Sequence, residues 1–167
     1  GKYERFTKTT LITGEPMAIK NIDGDSFYLR ADTFLDLADT SNLQKRMMKA
    51  YRNVIAFKSD IQAVADSLVY NFTDSTIGFF INPVIWTDSN QVTGDTIMVY
   101  RNQFGLDYFE AYANAFTIEK DKNGLFNQVK GRRLNGVFTE GRLYKVEVDG
   151  NGQSIYYALE EGRKYYG

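Results

Sequence analysis

The alternation of apolar and polar residues along this chain slips by one position at intervals, and few folds tolerate such slips. Segments 27–34, 62–68, 91–97 and 128–134 share one shape: alternating residues, then Ala or Gly, a polar pair and a large apolar residue. Before the pair Asp66-Ser67, residues Ile61, Ala63 and Ala65 share one parity; after it, Leu68, Tyr70 and Phe72 share the other. The same slip separates Val92 and Gly94 from Ile97 and Val99, and Val129 and Gly131 from Leu134 and Gly136. A strand has period two, so a change of parity sends the apolar set to the opposite face unless the backbone bulges or turns there. One continuous interior therefore requires corners at Asp66-Ser67, Asp95-Thr96 and Arg132-Arg133. The anchors Asp32, Asp66, Asp95 and Arg132 stand 34, 29 and 37 residues apart, room for two strands and their turns in each unit. The pattern predicts a sheet folded along a common crease and built from imperfect two-strand repeats.

Turn signals agree. Asp23-Gly24, Asn123-Gly124 and Glu140-Gly141 each separate alternating runs, as hairpin loops do. Asp149-Gly150-Asn151-Gly152 reads as another tight connection, and Pro83 ends the strand through Phe79 and Phe80 or marks an edge. Residues 40–51 alone have helical spacing, through Leu43, Met47 and Met48, and are expected to form a loop or one helical turn. No linker divides the 167 residues, so one all-β domain over 1–167 is expected, with 1–45 fitting the repeat least well.

Composition narrows the chemistry. With no Cys and no His, the chain has no Ser-His-Asp triad, no thiol nucleophile and no zinc site of the usual ligands. Any catalysis would need carboxylates, Lys, Tyr or Ser; no metal and no cofactor are expected. A formal charge of -1 argues against nucleic-acid binding, which rests on phosphate neutralisation. No apolar run approaches the ~18 residues of a membrane helix. The polar start Gly1-Lys2-Tyr3 carries no signal sequence, and the chain is expected to be part of a longer protein.

The run Ala65-Asp66-Ser67-Leu68-Val69-Tyr70, with Gln91-Val92-Thr93-Gly94-Asp95-Thr96-Ile97, resembles the OstA-like family, which includes the lipopolysaccharide-transport proteins of the LptA and LptC type. Further matching segments are Ala50-Tyr51-Arg52-Asn53-Val54, Pro83-Val84-Ile85-Trp86, Phe126-Asn127-Gln128-Val129-Lys130-Gly131 and Gly150-Asn151-Gly152-Gln153-Ser154-Ile155-Tyr156-Tyr157. The match covers roughly residues 25–157 and looks like the Bacteroidetes branch. Residues 36–49 depart from it as an apparent insertion. The resemblance implies an open, twisted antiparallel β-jellyroll, folded like a taco, whose apolar trough holds acyl chains of lipopolysaccharide or another lipid. It also implies a periplasmic location, no enzymatic activity, and end-to-end partners that are other OstA-like components or further copies of the chain.

The residues themselves support a trough through their aromatics: 12 Phe, 12 Tyr and 1 Trp, many on the expected inward parity. The candidates are Leu68, Tyr70, Phe79, Trp86, Ile97, Val99, Phe116, Val129, Leu134 and Phe138. Core filling is the ordinary explanation for any one of these rings. Lys130, Arg132 and Arg133 are candidates to meet lipid phosphates at the trough's mouth. The recurring Asp residues are expected to cap their corners by accepting backbone N–H bonds. Two other functions stay open: a ligand-free module assembling through sheet edges, and a carbohydrate-active enzyme using Asp66 and Asp95.

Overall fold

The computed structural model describes residues 6–22, 24–140, 142–155, 157–160 and 163–166. These form strands and no helix. The chain runs through β1 (Lys8–Thr13), β2 (Met17–Ile22), β3 (Asp25–Arg30), β4 (Thr33–Asp39), β5 (Asn42–Lys58), β6 (Ile61–Asn71), β7 (Thr76–Phe80) and β8 (Val84–Thr87). It continues through β9 (Asn90–Thr93), β10 (Thr96–Asn102), β11 (Gly105–Lys120), β12 (Phe126–Thr139), β13 (Arg142–Asp149) and β14 (Gln153–Ile155). Two short strands, β15 (Tyr157–Glu160) and β16 (Arg163–Tyr166), pair only with each other.

Asx residues close the hairpins. Asp121 accepts the N–H groups of Asn123 and Leu125, both at 2.8 Å, between β11 and β12. Asp39 accepts the N–H of Ser41 at 2.9 Å between β4 and β5. That turn overrides the weak helical spacing of residues 40–51, which belong mostly to β5; residues 36–49 lie in the β4–β5 hairpin. Asp23 and Gly141 lie outside the described residues, but Gly24 and Glu140 beside them have φ of 81° and 52°.

Every pairing is antiparallel, and the strands form two rows. One runs β1-β4-β5-β6-β7-β10-β11-β12-β13. The other runs β2-β3-β5-β6-β8-β9-β11-β12-β14. Strands β5, β6, β11 and β12 belong to both, so β6-β7-β10-β11-β9-β8 closes into a six-strand antiparallel barrel from which the other strands extend.

Between the rows lies a line of corners of two kinds, alternating from strand to strand. At Arg52-Asn53, Ile81-Asn82, Ala113-Asn114 and Gly150-Asn151, both residues are left-handed, with φ between 51° and 74°. The facing corners are Asp32, Asp66, Asp95 and Arg132. Their N–H groups donate to the carbonyls of Arg52 (3.0 Å), Ile81 (3.4 Å), Ala113 (3.0 Å) and Gly150 (2.8 Å), each the first residue of a left-handed pair. The Asp carboxylates do not cap backbone N–H groups as expected: Asp32 accepts from Asn53 Nδ2 at 3.1 Å and Asp95 from Asn114 Nδ2 at 3.4 Å. Asn fills the second left-handed place in all four pairs, as the non-Gly residue that tolerates it best. Residues 149–152 thus make a corner, not a hairpin, since β13 and β14 both pair with β12.

The two kinds of corner treat parity differently. Burial passes from Ala63 to Leu68 across Asp66, and from Val92 to Ile97 across Asp95, so these corners flip it. It passes from Ala50 to Val54, from Phe79 to Ile85, and from Ala111 to Ala115 across the left-handed pairs, which preserve it. One apolar face therefore lines both rows, and its buried residues form one cluster.

Candidate functional site

The two rows face each other across a space that is unevenly filled. The first row contributes large buried residues: Leu68, Tyr70, Phe79, Ile97, Phe109 and Leu134. The second contributes Leu29, Val54, Ile85 and Val92 and, among them, the small residues Ala56, Ala63 and Ala115. Gly136 is required where the Phe109 ring lies against the strand, since a Cβ there would come 2.0 Å from Phe109 Cε1.

Where the small residues concentrate, a cavity of about 210 Å³ remains. Phe27, Ala56, Ile61 and Ala63 form its wall on the second row; Ile77, Phe79, Val99 and Leu106 form its wall on the first. Its charged lining residues are Lys58, Asp60 and Arg101. Lys58 is ion-paired to Asp60 at 2.8 Å, and Arg101 Nη1 donates to Tyr70 Oη at 3.5 Å. Tyr70 stacks on Phe72 with centroids 4.0 Å apart, and Lys20 of β2 reaches across from the second row to lie 4.9 Å from the Phe72 centroid.

The space then narrows to about 10 Å³ among Ile61, Ile85, Val92, Val99, Phe109 and Phe138. It widens again to about 130 Å³ between Thr117 and Val129 on one side and Leu143 and Val146 on the other. Shared lining residues, Ile61 and Val99 at one junction and Asn90 and Leu143 at the other, place the three spaces in series.

Of the ten trough candidates, Leu68, Tyr70, Phe79, Ile97, Val99 and Leu134 are buried on the inner face, and Val129 and Phe138 pack against that core. Phe79 and Val99 line the cavity of about 210 Å³. Trp86 and Phe116 are corrections: both lie on the outer face. An inward Trp86 needs a parity flip after Phe79, but the Ile81-Asn82 corner preserves parity and puts Ile85 inside instead. The Ala113-Asn114 corner does the same, so Ala115 and Thr117 point inward and Phe116 does not. Trp86 Nε1 donates to Gln91 Oε1 at 2.9 Å along the outer surface.

The basic candidates also sit elsewhere than expected. Lys130 pairs in register with the outward Phe116, and Arg132 occupies its corner. Arg133 lies on the outer face, where it donates to Glu110 and stands 5.0 Å from the Tyr112 ring centroid. Glu110 also accepts from Tyr100 Oη at 2.9 Å and from Tyr112 Oη. Burial acts to raise the Glu110 pKa, but the three hydrogen bonds and the Arg133 charge outweigh it, and the net direction is down. Burial, then the bond to Glu110, pushes Tyr100 above its ordinary range.

The cations that do adjoin the inner spaces are Lys20, Lys58 and Arg101 at the wide end and Lys145 at the far end. Selecting large residues also missed Ala56 and Ala63, because a cavity forms where inward side chains are small; their even spacing from Val54 and Ile61 was the available signal. Asp66 and Asp95 flank the Ile81-Asn82 corner, their backbones bonded to Ile81. No helix among the described residues is long and apolar enough to cross a membrane. Comparison with protein-family models and with curated protein sequences returns no match to this chain.

Proposed function

We propose that this chain is a non-enzymatic module that holds lipid acyl chains in an apolar trough between the two strand rows. In this reading the six-strand ring and its flanking strands are one sheet doubled along its corners, the open β-taco that the OstA-like resemblance implies. The chain then serves lipopolysaccharide transport, or transport of another lipid, in the periplasm. The observation that carries the proposal is the cavity of about 210 Å³ between facing apolar walls. It exceeds the ~150 Å³ of an apolar cavity that accepts benzene, and it continues in series toward β13. Lys20, Lys58 and Arg101 could meet an anionic headgroup, the role first expected of Lys130, Arg132 and Arg133. Titration with a fluorescent acyl probe, then displacement by lipopolysaccharide, tests the proposal. Saturable binding is expected, and its absence with the intact fold defeats the idea.

A second reading has its own support. Strand β1 closes one end of its row with all six residues exposed, Leu11 at 64% and Ile12 at 43%. An edge of this kind can add a strand from another OstA-like component or a second copy. Sedimentation velocity across a concentration series distinguishes this: assembly without lipid binding favours the edge alone.

A further inference from the structure

The outward face of the second row carries a pattern of its own. Cross-strand partners share a face, and the registers join one line of them across seven strands, from β5 to β14. Its apolar members are Phe57, Trp86, Ile118 and Ile155, one on every second strand, and Gln62, Gln91 and Gln128 stand between them. Phe57, Trp86 and Ile155 are exposed, and Tyr28 extends the aromatic surface beyond Phe57, with ring centroids 6.3 Å apart. The bond from Trp86 Nε1 to Gln91 Oε1 fixes the indole along the sheet. Gln62 and Gln128 make no side-chain hydrogen bond among the described residues. Around Trp86, Gln91, Ile118 and Gln128 lies an open groove of about 480 Å³, rimmed by Asp88, Asn90, Lys120 and Phe126. That volume is in the range of small-ligand clefts.

The alternation selects the occupant. An acyl chain or a bilayer offers nothing to a row of carboxamides, and covering them unpaired is costly. A second protein sheet packed face to face would bring mainly apolar side chains to them as well. A chain of pyranose rings matches both kinds of position. Its C–H faces lie on indole and phenyl rings, and its hydroxyls, donor and acceptor at once, pair with carboxamides that have both functions. The line itself carries no charge, which suits a neutral sugar. We infer that this outward face binds a neutral oligosaccharide laid across the strands, with one ring stacked on Trp86 and its hydroxyls bonded to Gln91 and Gln128. The site lies on the opposite face of the strands from the trough and binds sugar whether or not the trough holds lipid. The sugar comes from a free glycan or from the head of a glycolipid.

Trp86 is the single tryptophan, so its fluorescence reports on the site directly. The probes are cellohexaose, chitohexaose, maltohexaose and the polysaccharide released from lipopolysaccharide, with phosphatidylglycerol vesicles alongside. A saturable change with at least one sugar is expected, and a response to the released polysaccharide alone makes a glycolipid the source. By calorimetry, Trp86→Ala should weaken sugar binding roughly 10-fold or more, and Gln128→Ala roughly 2- to 10-fold, with circular dichroism unchanged. No response to any of the sugars, sugar binding that survives Trp86→Ala at full strength, or a response to vesicles alone overturns the inference and leaves the trough standing.

Discussion

Replacing Ala63 with leucine separates a ligand trough from a filled core by the sign of a stability change. Ala63 is buried on the wall of the 210 Å³ cavity, beside Ala56 and opposite Phe79. Leucine adds three carbons. If they enter empty space they gain about 0.8 kcal/mol each, less about 0.5–1 kcal/mol of rotamer entropy, for a net stabilisation of about 1–2 kcal/mol. A closely packed core would instead lose about 1–3 kcal/mol to strain. At roughly 2–4 °C per kcal/mol for a chain of this size, the two cases lie on opposite sides of the wild-type melting temperature. The same three carbons displace part of the ligand, so acyl-probe affinity should fall by roughly 50-fold, about 2.4 kcal/mol. Thermal unfolding followed by circular dichroism, with probe titration on the same samples, reads both. A clear drop in melting temperature with unchanged probe affinity would refute the reasoning.

Other expectations follow from the corners, the core and the outer face. Ile81 is a β-branched residue at φ 64° and is well exposed, so Ile81→Gly should stabilise by about 0.5–1 kcal/mol in urea unfolding. Asn53→Val places a β-branched residue at φ 51° and removes the bond to Asp32; a loss of about 1–3 kcal/mol is expected, against a near-neutral Asn53→Gly. Leu134→Ala, at a fully buried site, should cost about 2–5 kcal/mol by the same assay. Glu110 has a folded pKa below its ordinary 4.5, so its stabilisation is present above that value and lost as pH falls through the folded pKa. Urea titrations below about pH 4.3 should show Glu110→Gln losing stability less steeply with acid than the wild type.

The corners at Asp66, Asp95 and Arg132 were legible because a parity flip leaves a trace in the order of apolar residues. The corners at Asn53, Asn82, Asn114 and Asn151 left no such trace, since two left-handed residues restore the original parity. Trp86 and Phe116 were misplaced for that reason alone. Their signal was the recurrence of Asn itself, 29, 32 and 37 residues apart, beside the Asp series. Residues 40–51 misled because Met47 and Met48 suit either period over so short a run, and the Asp39 turn and pairing with β4 decided for strand.

Local chemistry thus determined the strand content, the turns, one of the two corner types and the inward identity of Leu68, Phe79, Ile97 and Leu134. These depend on residues within a few positions of one another, where alternation and Asx chemistry act. Tertiary structure alone decided which small side chains faced which large ones, and so where space remained. The cavity beside Ala56 and Ala63 and the outward line from Phe57 to Ile155 belong to that second kind. Both arise from contacts between distant strands, across which no single stretch of sequence carries the volume or the register.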